Sequence, residues 1–258
     1  MKNEIDVIRD LAKKFAEGGI DYMLTGSLAM NYYAQPRMTR DIDVVVRLEP
    51  QDADVIVRLF GSDYYVAREA VNGAIARASV FNLIHQESII KVDCIVRKDS
   101  DYRRLEFTRR SAVTIQNFTT WIVSKEDLII SKLHWSRDSR SELQLRDVRS
   151  LWRQVMTRAT WKSGRRRWAC MSYCGSASMD DTSPEVKALV REMLMSRSGE
   201  ERFVMGALMF DAARDLVIAS IPPGLPAHEF KRRLFERIYG FSLEHVQDVC
   251  DDEQPPAR

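Results

Sequence analysis

Apolar residues follow two different periods in the first half of the chain, and these predict alternating helices and strands. Ile5, Ile8, Leu11 and Phe15 recur at three- and four-residue intervals, which is typical of an amphipathic helix. Short runs of β-branched residues are typical of strands. The predicted order is helix 4–17, strand 21–24, helix 27–35, strand 41–47, helix 50–60, extended runs at 64–67, 79–84 and 89–96, and a helix after Ser124. This order predicts an α/β (α+β) fold in which a mixed sheet is flanked by helices.

The regular pattern stops after Trp152 and returns near Met179. We therefore expect a first domain at 1–153, an irregular segment at 154–178, a small all-α unit at 179–240 and a polar tail at 241–258. The tail is predicted to be disordered because it has few apolar residues to bury. The three helices of the all-α unit would pack on one another, on the first domain or on a partner.

The irregular segment has three interpretations. It contains Arg165, Arg166 and Arg167 between Trp161 and Trp168, which is compatible with a solvated loop or with a nucleic-acid patch. Back-translation with plausible codons also gives, in a second reading frame, an amphipathic helical peptide followed by a stop codon. Our preferred hypothesis is therefore a frameshift, with Met179 as the first residue of a neighbouring open reading frame. Resequencing of the gene tests it, and an intact single frame would contradict it.

Composition excludes several classes of protein. The 258 residues are 45% apolar and 29% charged, as expected for a globular protein, and the net charge of +2 gives no argument for nucleic-acid binding. Four cysteines are too few and too scattered for a disulfide framework, and Cys170 and Cys174 lack a second pair of zinc ligands. The charged start of the chain does not resemble a signal peptide, and no apolar run is long enough for a membrane span. We expect a cytoplasmic protein.

Two aspartates at the start of the second predicted strand are the first candidates for chemistry. Side chains two positions apart on a strand point to the same face, so Asp41 and Asp43 should lie together. Two carboxylates this close repel each other unless a cation lies between them or one takes up a proton. No lysine stands between them in the sequence. A divalent metal resolves the repulsion, and oxygen ligands favour Mg²⁺.

A candidate phosphate site precedes these aspartates. Gly26 follows a short strand, and the Ser27 hydroxyl is expected to cap the next helix. The N-terminus of a helix behind a glycine offers free N–H groups and a positive dipole end, which bind phosphate. Alternatively, the two residues only turn the chain from strand to helix. Arg37 and Arg40 are further candidates for the site because they come immediately before the paired acids.

These residues together resemble a known signature. Gly26-Ser27, thirteen intervening residues and Asp41-Ile42-Asp43 are similar to the signature of the DNA polymerase beta-like nucleotidyltransferase superfamily. The run from Arg37 through Thr39 to Asp41 resembles its small bacterial branch, the abortive-infection and toxin–antitoxin nucleotidyltransferases. The resemblance covers about residues 1–152. It implies transfer of a nucleoside monophosphate from an NTP to a hydroxyl acceptor, with Mg²⁺ as cofactor.

Two residues later in the chain complete the predicted site. Asp93 is an acid within an otherwise apolar strand, and it either faces solvent or joins Asp41 and Asp43 in a carboxylate triad. In the family that the chain resembles, a third acid comes from a later strand in this way. Lys132 lies near the apolar side of a predicted helix. The resemblance makes it a candidate for contacting the nucleotide, and the alternative is a surface lysine whose stem covers apolar residues.

The sequence thus predicts an Mg²⁺-dependent nucleotidyltransferase. Asp41, Asp43 and Asp93 are the expected catalytic and metal-binding residues, and Gly26, Ser27, Arg37, Arg40 and Lys132 the expected nucleotide-binding residues. The hydroxyl acceptor is a protein, a tRNA or a small molecule, and a neighbouring gene is expected to encode a partner protein. The alternative is an inactive binding protein that keeps the nucleotidyltransferase fold.

Overall fold

Seven strands form one mixed sheet at the centre of the protein. The computed structural model describes residues 2–139, 142–155 and 183–242. The strands are β1 (Tyr22–Leu24), β2 (Asp41–Val46), β3 (Tyr64–Tyr65), β4 (Val80–His85), β5 (Lys91–Val96), β6 (Ser111–Ile115) and β7 (Phe118–Ile122), in the spatial order β3-β4-β5-β2-β1-β7-β6. β2 runs parallel to β5, and β1 runs parallel to β7, whereas the other neighbours are antiparallel. The predicted mixed sheet is confirmed.

Ten helices accompany the sheet in the described residues. They are α1 (Glu4–Glu17), α2 (Gly26–Tyr33), α3 (Asp52–Phe60), α4 (Arg68–Arg77), α5 (Asp101–Thr108), α6 (Lys125–Ser139), α7 (Glu142–Val155), α8 (Pro184–Met195), α9 (Gly199–Ala219) and α10 (Ala227–Tyr239). No helix in these ranges is long and apolar enough to cross a membrane.

The two central parallel strands have one apolar face and one open face. On β2, Ile42, Val44 and Val46 are buried, and the residues between them are only partly buried. β5 has the same alternation, with Val92, Cys94 and Val96 in the core. Burial of the apolar face fixes the register, because a shift by one residue would expose the whole apolar set. The polar side chains of both strands are thereby brought to one face.

Two of the three described C-terminal helices, α9 and α10, pack on the rest of the protein. α9 lies along α2 so closely that a Cβ on Gly206 would be 1.9 Å from Nδ2 of Asn31. The side chain of Asp211, on the same helix, accepts a hydrogen bond from the N–H of Glu4 at 3.2 Å. Phe203 and Phe210 are buried in the same core as the sheet. Helices α9 and α10 thus contact the first part of the chain, whereas α8 buries none of its residues.

Three sequence predictions need correction or concern residues outside the described ranges. The extended runs predicted after Gly61 miss helix α4, which buries Val71 and Ala74 at helical spacing. Helix α5 and the hairpin of β6 and β7 were not predicted. The segment predicted to be irregular overlaps α7 at residues 154–155, and its residues 156–178 lie outside the described residues. So do Cys170, Cys174, Met179 and residues 243–258.

Candidate functional site

The open face of β2 and β5 brings three carboxylates together. In the parallel register Asp43 is opposite Asp93, and Asp41 is opposite Lys91. Asp41 and Asp43 are two residues apart on one strand, so all three aspartates lie on the face that the apolar core does not use. The pairing of β5 with β2 therefore places Asp93 beside the other two acids.

Lys91 supplies a cation that the sequence analysis missed. Its Nζ is 2.9 Å from Oδ2 of Asp93 and 3.8 Å from Oδ2 of Asp41. No lysine stands between Asp41 and Asp43 in the sequence, as stated above, and this partner comes instead from β5. The period of two in Lys91-Val92-Asp93 was the available indication that the lysine and the third acid share a face.

Burial and the charges of neighbouring acids raise the pKa values of Asp43 and Asp93. Burial, followed by the charges of Asp41 and Asp93, raises the pKa of Asp43 to about 7. Burial also raises the pKa of Asp93, although the Lys91 ammonium acts in the opposite direction. Burial and like charges are the two general causes by which a carboxylate becomes a proton acceptor near neutral pH.

The N-terminus of α2 adjoins the three acids. Gly26 is the first helical residue and has a φ of +65°, and a Cβ there would be 1.8 Å from Oδ2 of Asp43. The N-cap is Thr25, whose side chain makes no capping hydrogen bond, so the predicted cap at Ser27 was wrong. The first turn contains no acidic residue either. Its N–H groups and positive dipole end are thus available to an anion beside Asp43.

A buried ion cluster lies behind this helix end. Arg37 donates to both carboxylate oxygens of Asp147, from Nε at 3.1 Å and from Nη2 at 2.7 Å. Nη2 also donates to Oγ of Ser27 at 2.6 Å, which gives the serine a different partner from the one predicted. Lys132 donates from Nζ to the same aspartate at 2.8 Å. Two cations therefore share one carboxylate, and the cluster retains excess positive charge.

Lys132 is part of the interior. It is 4% exposed, so the alternative of a surface lysine was wrong. Burial lowers its pKa, while the charges of Asp147 and Asp43 act in the opposite direction. The influence of Asp43 indicates that the ammonium lies near the acidic face, although its hydrogen bonds go to Asp147 and Gln144.

The loop between α2 and β2 is held by a residue that the sequence analysis did not select. The buried amide of Asn31 accepts from the N–H of Arg37 and donates to its carbonyl, both at 3.0 Å. Arg40 is exposed and donates from Nη1 to the carbonyl of Ile238 at 3.3 Å. The structure therefore joins Arg37 to the cluster near the helix end, whereas Arg40 contacts the C-terminal helix α10.

The donor set on this face fits a hard divalent cation. All three acids offer carboxylate oxygens, and Oδ1 of Asp93 is buried without a hydrogen-bond partner. A cation would also relieve the repulsion that raises the pKa of Asp43. Within the described ranges, no group of three or more His, Cys, Asp and Glu side chains is already arranged as a metal site. The three acids share a face without forming a closed set of metal ligands. Their negative charge is balanced in part by the ammonium of Lys91.

Comparisons with known proteins find similarity only in structure. No family model and no curated protein matches the chain. The fold is similar to the lincomycin-bound lincosamide antibiotic adenylyltransferase LnuA, at 18% identity and a TM-score of 0.40 over 58% of this chain and 98% of that one. It is also similar to an antigenic nucleotidyltransferase-like protein from Paracoccidioides brasiliensis, at 20% identity and a TM-score of 0.41 over 56% of this chain and 73% of that one.

Proposed function

We propose that this protein is an Mg²⁺-dependent nucleotidyltransferase that moves a nucleoside monophosphate from an NTP to a hydroxyl group. One observation carries the proposal. Asp41, Asp43 and Asp93 share one face of two parallel strands, directly beside the uncapped N-terminus of α2. A site for anionic phosphate thus adjoins a group of carboxylates that needs a cation, and this combination is what phosphoryl transfer by positioning and electrostatics requires.

The residues divide into two roles in this proposal. Gly26 and the N–H groups of the first turn of α2 would receive the phosphates, because the glycine has no Cβ and the first turn itself contains no acidic residue. Lys132 and Arg37 add positive charge from the cluster behind the helix. Arg40 remains a candidate for nucleotide contact only because it directly precedes Asp41 in the sequence. Its guanidinium donates a hydrogen bond to the backbone of α10.

The reaction itself needs a proton acceptor and a leaving group. The acceptor oxygen forms a bond to the α-phosphorus, the bond between that phosphorus and the bridging oxygen breaks, and pyrophosphate leaves with the electron pair. Asp93 is suited to take the hydroxyl proton because burial raises its pKa. Asp41 and Asp43 would hold Mg²⁺, and Asp93 would be a further ligand of the metal when it does not act as the base. When bound, the ion offsets phosphate charge and polarises the attacking and leaving oxygens.

A second candidate function is a nucleotide-binding protein without turnover. It is favoured by Lys91, whose ammonium already balances Asp93 and approaches Asp41. Carboxylates whose negative charge is already offset by a lysine gain less stabilisation from a bound metal ion. Under this alternative the chain binds an NTP at the end of α2 with no dependence on Mg²⁺.

Isothermal titration calorimetry of the full chain with each NTP, with and without Mg²⁺, distinguishes the two functions. We expect Mg²⁺-dependent binding by the parent and none by the double variant Asp41→Ala/Asp43→Ala. Equal binding with and without Mg²⁺ would support the second candidate, and no binding of any NTP would contradict both.

A matched control separates loss of the site from loss of two charges. Asp99 and Asp101 are also two residues apart, are strongly exposed and pair with Arg104 away from the site. Asp99→Ala/Asp101→Ala should bind like the parent. Release of pyrophosphate in the presence of candidate proteins, tRNA or small hydroxyl compounds then identifies the class of acceptor.

The biological setting follows from the resemblance of the run between Arg37 and Asp43 to the toxin–antitoxin and abortive-infection branch. We propose that the protein acts in a bacterial toxin–antitoxin or phage-defence system together with a partner from a neighbouring gene. Growth arrest on induced expression in bacteria, relieved by Asp41→Ala/Asp43→Ala, is the expected result. Normal growth with abundant active protein would contradict this setting.

A further inference from the structure

A tyrosine at the end of the C-terminal helix α10 is inserted between the two strands that carry the acids. Tyr239 is the last residue of the helix, and its ring is buried against Phe235 at 4.7 Å between centroids. Its hydroxyl accepts from the N–H of Lys91 at 2.9 Å and faces the carbonyl of Arg40 at 3.1 Å and that of Ile89 at 3.3 Å. The hydroxyl proton is therefore directed to the backbone where β2 and β5 begin.

The register of the two strands shows which backbone hydrogen bond the hydroxyl of Tyr239 replaces. At the far end of the pair, the N–H of Arg97 donates directly to the carbonyl of Val46 at 2.9 Å. The same offset would pair the N–H of Lys91 with the carbonyl of Arg40 at the near end. The hydroxyl of Tyr239 takes the place of that direct bond. Two hydrogen bonds in series, from Lys91 to Tyr239 and from Tyr239 to Arg40, thus link the first residues of the two strands through a side chain.

The position of the insertion coincides with the candidate site. Lys91 and Asp41 are opposite each other on the first residues of β5 and β2, and the ammonium of Lys91 lies 5.9 Å from the centre of the Tyr239 ring. A second contact ties the same elements in the other direction, because Arg40 donates to the carbonyl of Ile238 at the C-terminal end of α10. A cation at that end is favourable to the helix dipole.

We propose that Tyr239 is a positioning residue for the nucleotidyl transfer proposed above. Its hydroxyl sets the spacing of β2 and β5 at their first residues and thereby places Asp41 and Lys91 around the site. The effect of Tyr239 on catalysis rests on that proposed function. Its effect on the spacing of β2 and β5 does not depend on it. It makes the C-terminal helix a component of the active site.

Tyr239→Phe in the full chain tests the proposal, since it removes the hydroxyl and keeps the ring. The matched control is Tyr64→Phe, because Tyr64 is also buried and donates from its hydroxyl to Asp10 at 2.8 Å at the edge of the sheet. The probe is Mn²⁺ alone, titrated by electron paramagnetic resonance. Loss of a group that orients metal ligands typically lowers metal affinity by about 10- to 100-fold. We expect a loss of about tenfold for Tyr239→Phe and none for Tyr64→Phe, with similar melting temperatures.

Hydrogen exchange of the Lys91 amide gives a readout that does not depend on metal or turnover. We expect faster exchange in Tyr239→Phe and no change at this amide in Tyr64→Phe. Unchanged exchange, or Mn²⁺ affinity equal to that of the control, would overturn the proposal. If the parent binds neither Mn²⁺ nor any NTP, the proposed function fails instead, and the exchange rate of Lys91 alone decides whether Tyr239 sets the strand spacing.

Discussion

Gly26 and Asp43 are in such close contact that the site requires a residue without a side chain at position 26. A Cβ there would be 1.8 Å from Oδ2 and 2.6 Å from Cγ of Asp43. The backbone also has a φ of +65°, which side chains other than glycine rarely adopt. The end of α2 and the carboxylate of Asp43 therefore lie in direct contact.

Gly26→Ala should abolish Mg²⁺-dependent NTP binding, because the new methyl group displaces Asp43. Gly19→Ala is the matched control: Gly19 has the same φ of +65°, but nothing lies within 4 Å of its Cβ position. Both variants should lose about 1 kcal/mol from backbone strain, since the left-handed conformation costs an alanine roughly that much. Calorimetric titration and thermal melting check the two effects. Retained binding by Gly26→Ala would mean that Asp43 is not part of the nucleotide site.

Lys91→Met should make folding stability depend on Mg²⁺. Removal of the ammonium leaves Asp93 without its 2.9 Å ion pair, and an unpaired buried carboxylate costs about 1–3 kcal/mol or more. Added Mg²⁺ should restore the melting temperature, because a ligand that binds only the folded state stabilises it. The lysine control is Lys14→Met, whose side chain is 12% exposed against 14% for Lys91 and pairs with Asp63 at 3.0 Å. Its melting temperature should fall without recovery in Mg²⁺. Equal recovery of both variants would exclude a metal site at the acids.

Asp147→Asn should destabilise the protein by roughly 3 kcal/mol, because it leaves Lys132 and Arg37 without the carboxylate that they share. Asp54→Asn breaks an exposed ion pair with Arg68 and should cost less than about 1 kcal/mol. Urea denaturation measures both free energies of unfolding. A cost for Asp147→Asn no greater than that of the surface control would contradict a buried cluster that holds these two cations.

Glu4→Gln should stabilise the protein at neutral and alkaline pH. Glu4 is fully buried and neither of its carboxylate oxygens has a hydrogen-bond partner. Burial, followed by the charges of Asp211 and Asp41, raises the pKa of Glu4 well above its ordinary value of 4.5, and Arg214 only partly opposes them. The folded protein therefore favours the neutral acid. Its contribution is fully favourable below about pH 4.5, where the unfolded chain is also protonated, and is lost as the pH rises through the folded pKa.

The stabilising effect of Glu4→Gln should thus grow with pH above 4.5 and vanish below it. Glu17→Gln, an exposed position on the same helix, controls for the general effect of removing a negative charge. Chemical denaturation of both variants and the parent between pH 4 and 9 measures the difference. A pH-independent difference would show that Glu4 remains ionised in the folded protein.

The elements with strong local patterns could be predicted from the sequence. Helix α1 was predicted with its observed bounds, because its apolar period and the glycines after it depend only on neighbouring residues. The strand that carries Asp41 and Asp43 was also predicted, to within one residue of its observed end. Helix α4 was not, because its short and weakly apolar stretch owes its helical state to packing on α3 and β4.

The local relationships around the candidate site could be deduced from neighbouring residues alone. Period two on β2 places Asp41 and Asp43 on one face, and a glycine before a helix provides an end that can accept phosphate. The distant groups that complete the site became evident only from the folded chain. It paired β2 with β5 and so added Asp93 and Lys91, joined Arg37 to Asp147, and inserted Tyr239 at a residue 148 positions away. The physical reason is that a period depends on adjacent residues, whereas strand order and the docking of α10 depend on burial of the whole apolar core.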